Sequence, residues 1–224
     1  MKRRTIVGLA FLIIGQASRA IAAGPDAPAG TDTPSSGPPA WETAPATRRG
    51  GFTAGVLTGL SFGSVVGYPN DFAKIDQPAY RSATSGVGST FTLYLGGALT
   101  DWFTFGFGLG RSSYGSGQLV TESTAYLFHI EAFPLFARGG PWRDLALYAD
   151  IGTGTATILR RSDRAQSSSA GSLSIAGLGA FWEPWRLAGH LAFGPYGGWH
   201  YEESNSMARH FGEIGLRGAF YGGP

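Results

Sequence analysis

The chain has 224 residues, of which 14% are charged and 13% aromatic, and 36 are Gly. This length suffices for one sizeable domain, and beyond the N-terminus no run of 18 apolar residues predicts a helical membrane span. The chain has no Cys, which excludes disulfides, thiolate metal sites and Cys nucleophiles.

The first 22 residues have the features of a secretory signal peptide. A basic start, KRR, is followed by an apolar stretch from residue 6 to 14 and by the small-residue pattern AIA at 20–22. We therefore predict a cleaved signal peptide over residues 1–22. Its removal takes away four basic residues and no acidic one, which leaves 13 basic and 15 acidic side chains. The basic balance of the whole chain thus gives no reason to expect a nucleic-acid partner.

Residues 23–50 are rich in Pro, Ala, Gly, Ser and Thr, and Trp41 is the only aromatic or large aliphatic side chain among them. A segment of this composition cannot bury a core. We predict a disordered linker that serves as a spacer, with a periplasmic tether as the alternative.

Residues 51–224 form one predicted domain in which apolar and small or polar residues alternate. Side chains of a strand point alternately to two faces, so a period of two predicts strands. Eight such segments are present, at 51–63, 87–99, 102–112, 123–136, 145–159, 171–182, 186–199 and 210–221. We predict an all-β fold, an eight-stranded antiparallel up-and-down transmembrane β-barrel.

The stretch TDWFTFGFGLG, residues 100–110, shows why a membrane is expected. One face carries Phe103, Phe105, Phe107 and Leu109, and the other carries only Thr and Gly. We predict that the large residues contact lipid and that the small ones line the narrow lumen of an eight-stranded barrel. Other strands give matching outward faces at Phe91/Leu93/Leu95, Leu145/Leu147/Ile151, Leu187/Leu191/Phe193 and Ile214/Leu216/Phe220.

The connections between the predicted strands alternate in kind. Those after the first, third, fifth and seventh strands are polar and long, whereas TD, ARGGPWRD and EPW after the others are short. Long loops at one end and short turns at the other are typical of outer-membrane barrels. An even number of strands also puts both ends of the barrel chain at the short-turn end.

Tryptophan gives a second indication of membrane boundaries. The residues concerned are Trp102, Trp142, Trp182 and Trp185 beside the short turns, and Trp199 at the far end of the seventh strand. Indole rings favour the membrane–water interface, so we predict two aromatic girdles. The alternative is that these rings cap the ends of a soluble barrel.

The inward positions predict a polar network in the lumen. Its members are His129, Glu131, Asp150, Arg186, His190, Glu213 and Arg217. We expect Glu131 and Asp150 to pair with Arg217, with His190 within hydrogen-bonding reach, because an unpaired buried charge costs several kcal/mol. The network has three possible roles: a structural plug, a polar path for ions and small solutes, or a catalytic site.

Motifs for other chemistry are weak. The four His residues lack metal-ligand spacing, and the Gly-rich stretch GFGLG does not open a helix of a nucleotide-binding unit. The segment NSMARHFGE does not reproduce a lipid A deacylase motif. We therefore expect no catalytic residue, no metal and no cofactor.

The segments GGALTDWFTFGFG, FHIEAFPLF, GAFWEPWR and GLRGAFYGGP give the chain a family resemblance. Residues 51–224 resemble small outer-membrane β-barrels of the OmpA-transmembrane and OmpX type, and a group of Gly-rich outer-membrane proteins. The last segment also looks like the C-terminal strand signal read by the barrel-assembly machinery, although Gly222, Gly223 and Pro224 stand where that family has a terminal aromatic.

The resemblance implies an outer-membrane location, contact with outer-membrane lipid and lipopolysaccharide, and the barrel-assembly machinery as partner during biogenesis. From the residues themselves we expect a non-enzymatic barrel with a structural or surface-exposed role and a lumen mostly filled by side chains. Two alternatives stay open: a barrel enzyme that modifies lipid A, and a soluble periplasmic barrel that binds an apolar ligand. In the soluble barrel the Phe face would be buried and Glu131, Asp150 and Arg217 would be exposed.

Overall fold

The computed structural model describes residues 48–138 and 140–223, so the expected signal peptide and most of the expected linker lie outside the described residues. The strands are β1 Gly51–Gly67, β2 Ser82–Thr100, β3 Phe103–Gly115, β4 Leu119–Ala132, β5 Leu145–Arg160, β6 Gln166–Trp182, the short β7 Trp185–Leu187, β8 Leu191–Glu203 and β9 Met207–Tyr221. Three short 3-10 helices span Pro78–Tyr80, Phe136–Arg138 and Gly140–Asp144. None of the described helices is long and apolar enough to cross a membrane.

The eight long strands form a closed antiparallel barrel. Each pairs with its neighbour in the chain, β1 pairs with β9, and β6 pairs with β8. The short β7 pairs only with the start of β8. Closure leaves no unpaired edge among the long strands. The predicted fold class, an eight-stranded antiparallel up-and-down barrel, is confirmed.

The two ends of the barrel are named here by their connections. The lower end has the connections 101–102, 133–144 and 183–190 and both described chain ends, and the upper end has the connections 68–81, 116–118, 161–165 and 204–206. The upper connections are shorter than expected because the paired strands continue beyond the apolar alternation. Backbone pairing between two strands, such as that of Gly67 with Ser82, does not require apolar side chains. Loop length alone therefore does not separate the ends.

The seventh long strand begins later than predicted. The expected segment 186–199 is divided into β7, a tight turn and β8. Ala188 and Gly189 have φ angles of 51° and 75°, a left-handed backbone that suits a tight hairpin turn. Residues 186–190 consequently lie at the lower rim and not on the barrel wall.

The outer surface of the barrel is apolar. Phe107 is 71% exposed, and Ile151 and Leu216 are each 62% exposed. The expected outward residues that are exposed are Phe91, Leu93, Leu95, Phe107, Leu109, Leu147, Ile151, Leu187, Phe193, Ile214, Leu216 and Phe220. Phe103, Phe105, Leu145 and Leu191 face outward and are half-buried among their neighbours.

Glycine on the inner face makes room for large side chains from other strands. A Cβ on Gly55 would lie 2.1 Å from the Tyr94 ring, and one on Gly198 would lie 2.0 Å from the Tyr148 hydroxyl. Tyr94 and Tyr148 are almost fully buried. The nearly bare inner face seen in the sequence thus accommodates tyrosines inside the barrel.

The two larger of the buried apolar clusters lie at different levels of the barrel interior. Members of the lower cluster include Leu57, Tyr94, Phe133, Tyr148 and Phe181, and members of the upper cluster include Val65, Tyr114, Ile158, Leu173, Met207 and Phe211. The charged groups of the lumen are held between and beside these clusters.

Candidate functional site

The lower lumen is organised around the ion pair of Arg217 and Glu131. Arg217, on β9, donates to Glu131 Oε1 on β4 from Nε at 3.0 Å and from Nη2 at 2.6 Å. Tyr94 donates its hydroxyl to the same oxygen at 2.7 Å, and Thr104 donates to Glu131 Oε2 at 2.6 Å. Both carboxylate oxygens therefore have partners although the side chain is fully buried.

His129 links Glu131 to a second carboxylate. Its Nδ1 lies 2.7 Å from Asp150 Oδ1 and its Nε2 lies 3.1 Å from Glu131 Oε1. The imidazole stacks on the Tyr94 ring with centroids 4.2 Å apart. Asp150 thus joins the Arg217 network through His129, and not by direct contact with Arg217.

Glu183 is the second carboxylate that contacts Arg217. It lies in the connection after β6, and its Oε1 accepts from Arg217 Nη1. Tyr221, near the end of β9, donates its hydroxyl to the same oxygen at 2.6 Å. The Arg217 guanidinium lies 3.9 Å from the centroid of the Phe181 ring. The cation is enclosed by two carboxylates and an aromatic face.

Arg49 enters the lower end of the barrel from the N-terminal side. Its Nη2 donates to Asp144 Oδ1 at 2.7 Å and to Glu183 Oε2 at 2.9 Å, and the side chain is fully buried. Burial by itself lowers the pKa of this guanidinium, but the negative charges of Glu183 and Asp144 outweigh that effect and raise the pKa. Arg49 is therefore a permanent cation at the lower mouth.

Each lower connection supplies one acid to the chain segment before β1. Asp101 accepts from the backbone N–H groups of Arg48 and Arg49, both at 2.6 Å. Asp144 pairs with Arg48 at 2.6 Å, and Glu183 pairs with Arg49. These acids thus bind Arg48 and Arg49, which lie within the predicted linker range 23–50, to the lower end of the barrel.

The middle of the lumen holds a cluster around Glu213. Its Oε1 accepts from the Tyr148 hydroxyl at 2.8 Å and lies 3.0 Å from His200 Nε2, and its Oε2 accepts from Thr90 at 2.9 Å. His200 also stacks on Phe211 with centroids 5.0 Å apart. This cluster is separate from the hydrogen bonds of Arg217.

The upper lumen contains a buried pair of Arg209 and Glu202. Arg209 donates to Glu202 Oε2 and, at 2.9 Å, to the Ser112 hydroxyl. Ser123 donates to the other oxygen of Glu202 at 3.3 Å. The guanidinium also lies over the Tyr114 ring, 4.9 Å from its centroid. Each level of the lumen thus pairs its acids with basic groups.

Side chains of these clusters line a small cavity in the lumen. A cavity of about 20 Å³ lies among residues that include Thr92, Ser123, His200 and Glu202, which is room for about one water molecule. At the upper mouth the Tyr68 backbone bonds across the opening, donating to Ser206 at 2.8 Å and accepting from Ser169 at 3.3 Å. Buried side chains thus project into the lumen, and a strap of backbone crosses its upper end.

The structure places five of the seven expected network residues inside the lumen: His129, Glu131, Asp150, Glu213 and Arg217. Arg186 lies instead at the lower rim, 3.3 Å from Glu183. The expected position of His190 is wrong. It is exposed in the turn before β8 and its Nδ1 lies 2.9 Å from the Tyr221 carbonyl oxygen, because the barrel wall begins only at residue 191.

Several buried charged residues were not anticipated. They are Arg49, Asp144, Glu183, His200, Glu202 and Arg209. His200, Glu202 and Arg209 stand at positions whose side chains point inward, and they lie just past the predicted strand ends. A longer predicted strand would therefore have included them. Arg49 and Glu183 lie outside any alternating segment, and their burial follows from how the chain closes the lower mouth.

The expected girdle tryptophans lie on the surface at the expected ends. Trp102, Trp142, Trp182 and Trp185 are exposed at the lower end, and Trp199 is exposed toward the upper end of β8. The Trp182 indole donates to the Pro141 carbonyl at 3.0 Å.

Outside the lumen, one Ser–His contact is present on the barrel wall. The Ser64 hydroxyl lies 2.8 Å from His210 Nε2, and His210 stacks on Trp199. Within the described ranges, no carboxylate hydrogen-bonds His210, and no group of three or more His, Cys, Asp or Glu residues could hold a metal ion.

The sequence matches no family of known proteins and no curated protein. Solved structures do match the barrel, at low identity. Ail, the attachment invasion locus protein of Yersinia pestis, is 11% identical with a TM-score of 0.44, and the match covers 76% of this chain and 99% of that one. The N-terminal β-barrel domain of Pseudomonas aeruginosa OprF is 14% identical with a TM-score of 0.44, covering 77% of this chain and 100% of that one.

The outer membrane protein AlkL is 10% identical with a TM-score of 0.37, covering 89% of this chain and 97% of that one.

Proposed function

We propose that the chain is a non-enzymatic integral β-barrel of a bacterial outer membrane, with a structural or surface-exposed role and a lumen closed to solutes. The proposal rests on one observation: the outer surface of the barrel is apolar and its interior is charged, which is the reverse of a soluble barrel. The outward face is apolar, with Phe107 71% exposed, while Glu131 and Arg217 are at most 1% exposed. Only a lipid solvent stabilises that arrangement in a closed barrel.

The upper end is assigned to the cell exterior. Both ends of the described chain lie at the lower end, which is the periplasmic side of such barrels. The upper hairpins also expose residues such as Phe72, at 90%, on the connection 68–81. A surface role is consistent with these projecting hairpins.

The contacts within the lumen support a closed barrel. Arg217, Arg209 and Arg49 each pair with buried carboxylates, and about 20 Å³ of space is left in the cavity beside His200. A solute would have to break buried ion pairs in order to pass, at a cost of several kcal/mol.

The two alternatives make different demands on the structure. A soluble ligand-binding barrel requires the Phe face inside and Glu131, Asp150 and Arg217 outside, which is the reverse of the observed burial. A lipid-modifying enzyme requires an activated nucleophile on the outer wall. The Ser64–His210 contact offers a hydroxyl and an imidazole, but the orienting third group of such a site is not seen among the described contacts.

Fractionation tests the proposed location. Full-length protein expressed in a Gram-negative host should sediment with the outer membrane, and an unheated sample should migrate differently in a denaturing gel from a boiled one. Recovery of soluble protein from the periplasm would contradict the proposal. In planar bilayers, the purified folded barrel should show no stable single-channel conductance, and steady open channels would contradict the closed lumen.

Epitope insertion tests the orientation. Ser162 lies in the exposed upper connection 161–165, and Gly140 lies in an exposed lower connection. An epitope at Ser162 should be detected on intact cells, whereas an epitope at Gly140 should need permeabilised cells. The reverse pattern would show that the upper end faces the periplasm.

A further inference from the structure

A groove of about 450 Å³ runs along the outer wall across β2 to β5. The strand register builds it from two rows of outward side chains: Leu93, Leu109, Tyr126 and Thr153 in the upper row, and Leu95, Phe107, Phe128 and Ile151 in the lower row. Its volume falls in the range of small-molecule sites. The groove is a shaped apolar concavity on a wall that faces lipid.

A cluster of charged side chains lies directly above this groove. On β3, Arg111 is the next outward-facing residue above Leu109, and the strand register pairs it with Thr124 of β4. Glu122 faces outward on β4, one outward position above Thr124. Arg164, from the connection 161–165, donates to Glu122 at 2.9 Å. The cluster therefore has two guanidinium groups and one carboxylate.

The two arginines keep free donor capacity. Arg111 Nη2 lies 3.7 Å from Glu122 Oε2, beyond hydrogen-bonding distance. The Arg111 side chain is 70% exposed and that of Arg164 is 60% exposed. One positive charge is left unbalanced on the outer surface, and guanidinium groups of this kind bind phosphate well.

The height of the cluster matches the edge of the membrane. Arg111 lies eight residues above Phe103 at the base of β3. With a rise of about 3.3 Å per residue and a strand tilt of about 40°, the vertical distance is roughly 20 Å. The apolar band of such barrels is about 25 Å tall, so the guanidinium group reaches the head-group layer of the outer leaflet.

We propose that β2 to β5 form a binding site for a phosphorylated glycolipid of the outer leaflet, of the lipid A type. Arg111 and Arg164 bind its phosphate, and the groove below holds an acyl chain. The commitment to this lipid rests on the proposed outer-membrane location and orientation, which put the groove in the outer leaflet. The choice of a phosphorylated lipid follows from the positive charge of the two arginines and from their position directly above the apolar groove.

Native mass spectrometry of the purified folded barrel in detergent micelles tests this site. The probes are lipid A, lipid A with its phosphates removed, phosphatidylglycerol and inorganic phosphate. One lipid A should bind, and it should bind more tightly than either of the other lipids. Removing one basic residue near a membrane surface weakens such binding by about fivefold, so Arg111→Ala and Arg164→Ala should each show a loss of that size.

Matched variants separate the site from general charge and hydrophobicity. Arg138→Ala removes an exposed Arg at the lower end, and Leu216→Trp enlarges an exposed residue on β9; both should bind lipid A like the unchanged protein. Leu93→Trp should fill the groove and weaken binding. A heat-modifiability gel on the same samples confirms that each variant is folded.

Three results would overturn the lipid site: unchanged affinity in the double variant Arg111→Ala/Arg164→Ala, equal binding of phosphatidylglycerol, and displacement of lipid A by inorganic phosphate. If a folded barrel from the outer membrane gives any of them, only the lipid site fails. If the protein does not sediment with the outer membrane, the proposed function itself fails.

Discussion

The guanidinium carbon of Arg49 lies 3.5 Å from the centroid of the Phe133 ring, inside the lower mouth of the barrel. Arg49 precedes β1, and Phe133 begins the connection after β4. The same side chain pairs with Asp144 and Glu183. The residue that leads into the first strand therefore ties three lower connections together inside the mouth of the lumen.

Replacing Arg49 should destabilise the barrel more than replacing its neighbour. Arg49→Ala removes a fully buried cation, and we expect a loss of about 2–3 kcal/mol, somewhat less than for a simple buried pair because Arg48 and Arg217 still contact its carboxylates. Arg48→Ala removes a side chain that is 28% exposed and should cost about 1 kcal/mol or less. Urea unfolding in lipid vesicles measures both, and equal losses would contradict the role given to Arg49.

Arg217 should show energetic coupling to Glu131. Arg217→Ala removes a fully buried cation from Glu131 and Glu183 and should cost about 3 kcal/mol, the lower end for a broken buried pair, because His129 and Arg49 still contact these carboxylates. Adding Glu131→Gln removes one of those charges, so the double variant should recover part of the loss. His190→Ala, at an exposed turn position, is the control and should change stability by less than about 1 kcal/mol. Strictly additive effects of the two lumen substitutions would show that they do not share a network.

The loss of stability caused by a charged residue on the outer wall should depend on how deep that residue lies in the membrane. Phe107 lies midway along β3, whereas Leu99 lies at the lower end of β2, and both are exposed. Phe107→Arg should destabilise the folded barrel by about 2–4 kcal/mol, and Leu99→Arg by about 0–1 kcal/mol, because the charge at the boundary reaches water. Unfolding in vesicles measures the difference. A barrel that tolerated both equally would not have this part of its wall in hydrocarbon.

Glycine on the inner face should resist even a single methyl group. A Cβ on Gly55 would lie 2.1 Å from the Tyr94 ring, whereas the nearest atom to a Cβ on Gly97 is 3.5 Å away. Gly55→Ala should therefore cost about 1–3 kcal/mol by overpacking, and Gly97→Ala should be neutral or slightly stabilising. The midpoint of denaturant unfolding compares the two. Equal midpoints would mean that Tyr94 has room to move.

The strongly alternating stretches predicted the architecture well. In β3 the sequence alone assigned Phe107 and Leu109 to the outside and Thr104 to the inside, as the burial shows. Strand ends were harder to predict because small and polar residues there carry no clear hydrophobic period. Pairing nevertheless continues from the apolar part of each strand, which is why β1 reaches Gly67 and β4 begins at Leu119.

The lumen was predictable only in part. The alternation of side chains along each strand placed Glu131, Asp150 and Arg217 on the inner face. Which of the inward groups form hydrogen bonds depends also on the register and shear of the strands, and the alternation pattern gives no information about these. His129 lies between Asp150 and Glu131 because the β4–β5 register pairs it directly with Asp150, while Glu131 is its next neighbour on the inner face of β4. The burial of Arg49 in the lower mouth depends on the path of the chain beneath the barrel, and no local pattern in the sequence indicates it.

The central claim is that the Phe and Leu face meets lipid while the opposite face is enclosed. Because the chain has no Cys, single Cys residues can be placed at each position from 104 to 110 of β3, away from both membrane boundaries, and labelled with nitroxide. In vesicles, odd positions should be accessible to oxygen, which concentrates in lipid, and even positions should be poorly accessible both to oxygen and to a water-soluble relaxation agent. Accessibility of the odd positions to the water-soluble agent, or no alternation at all, would contradict the account.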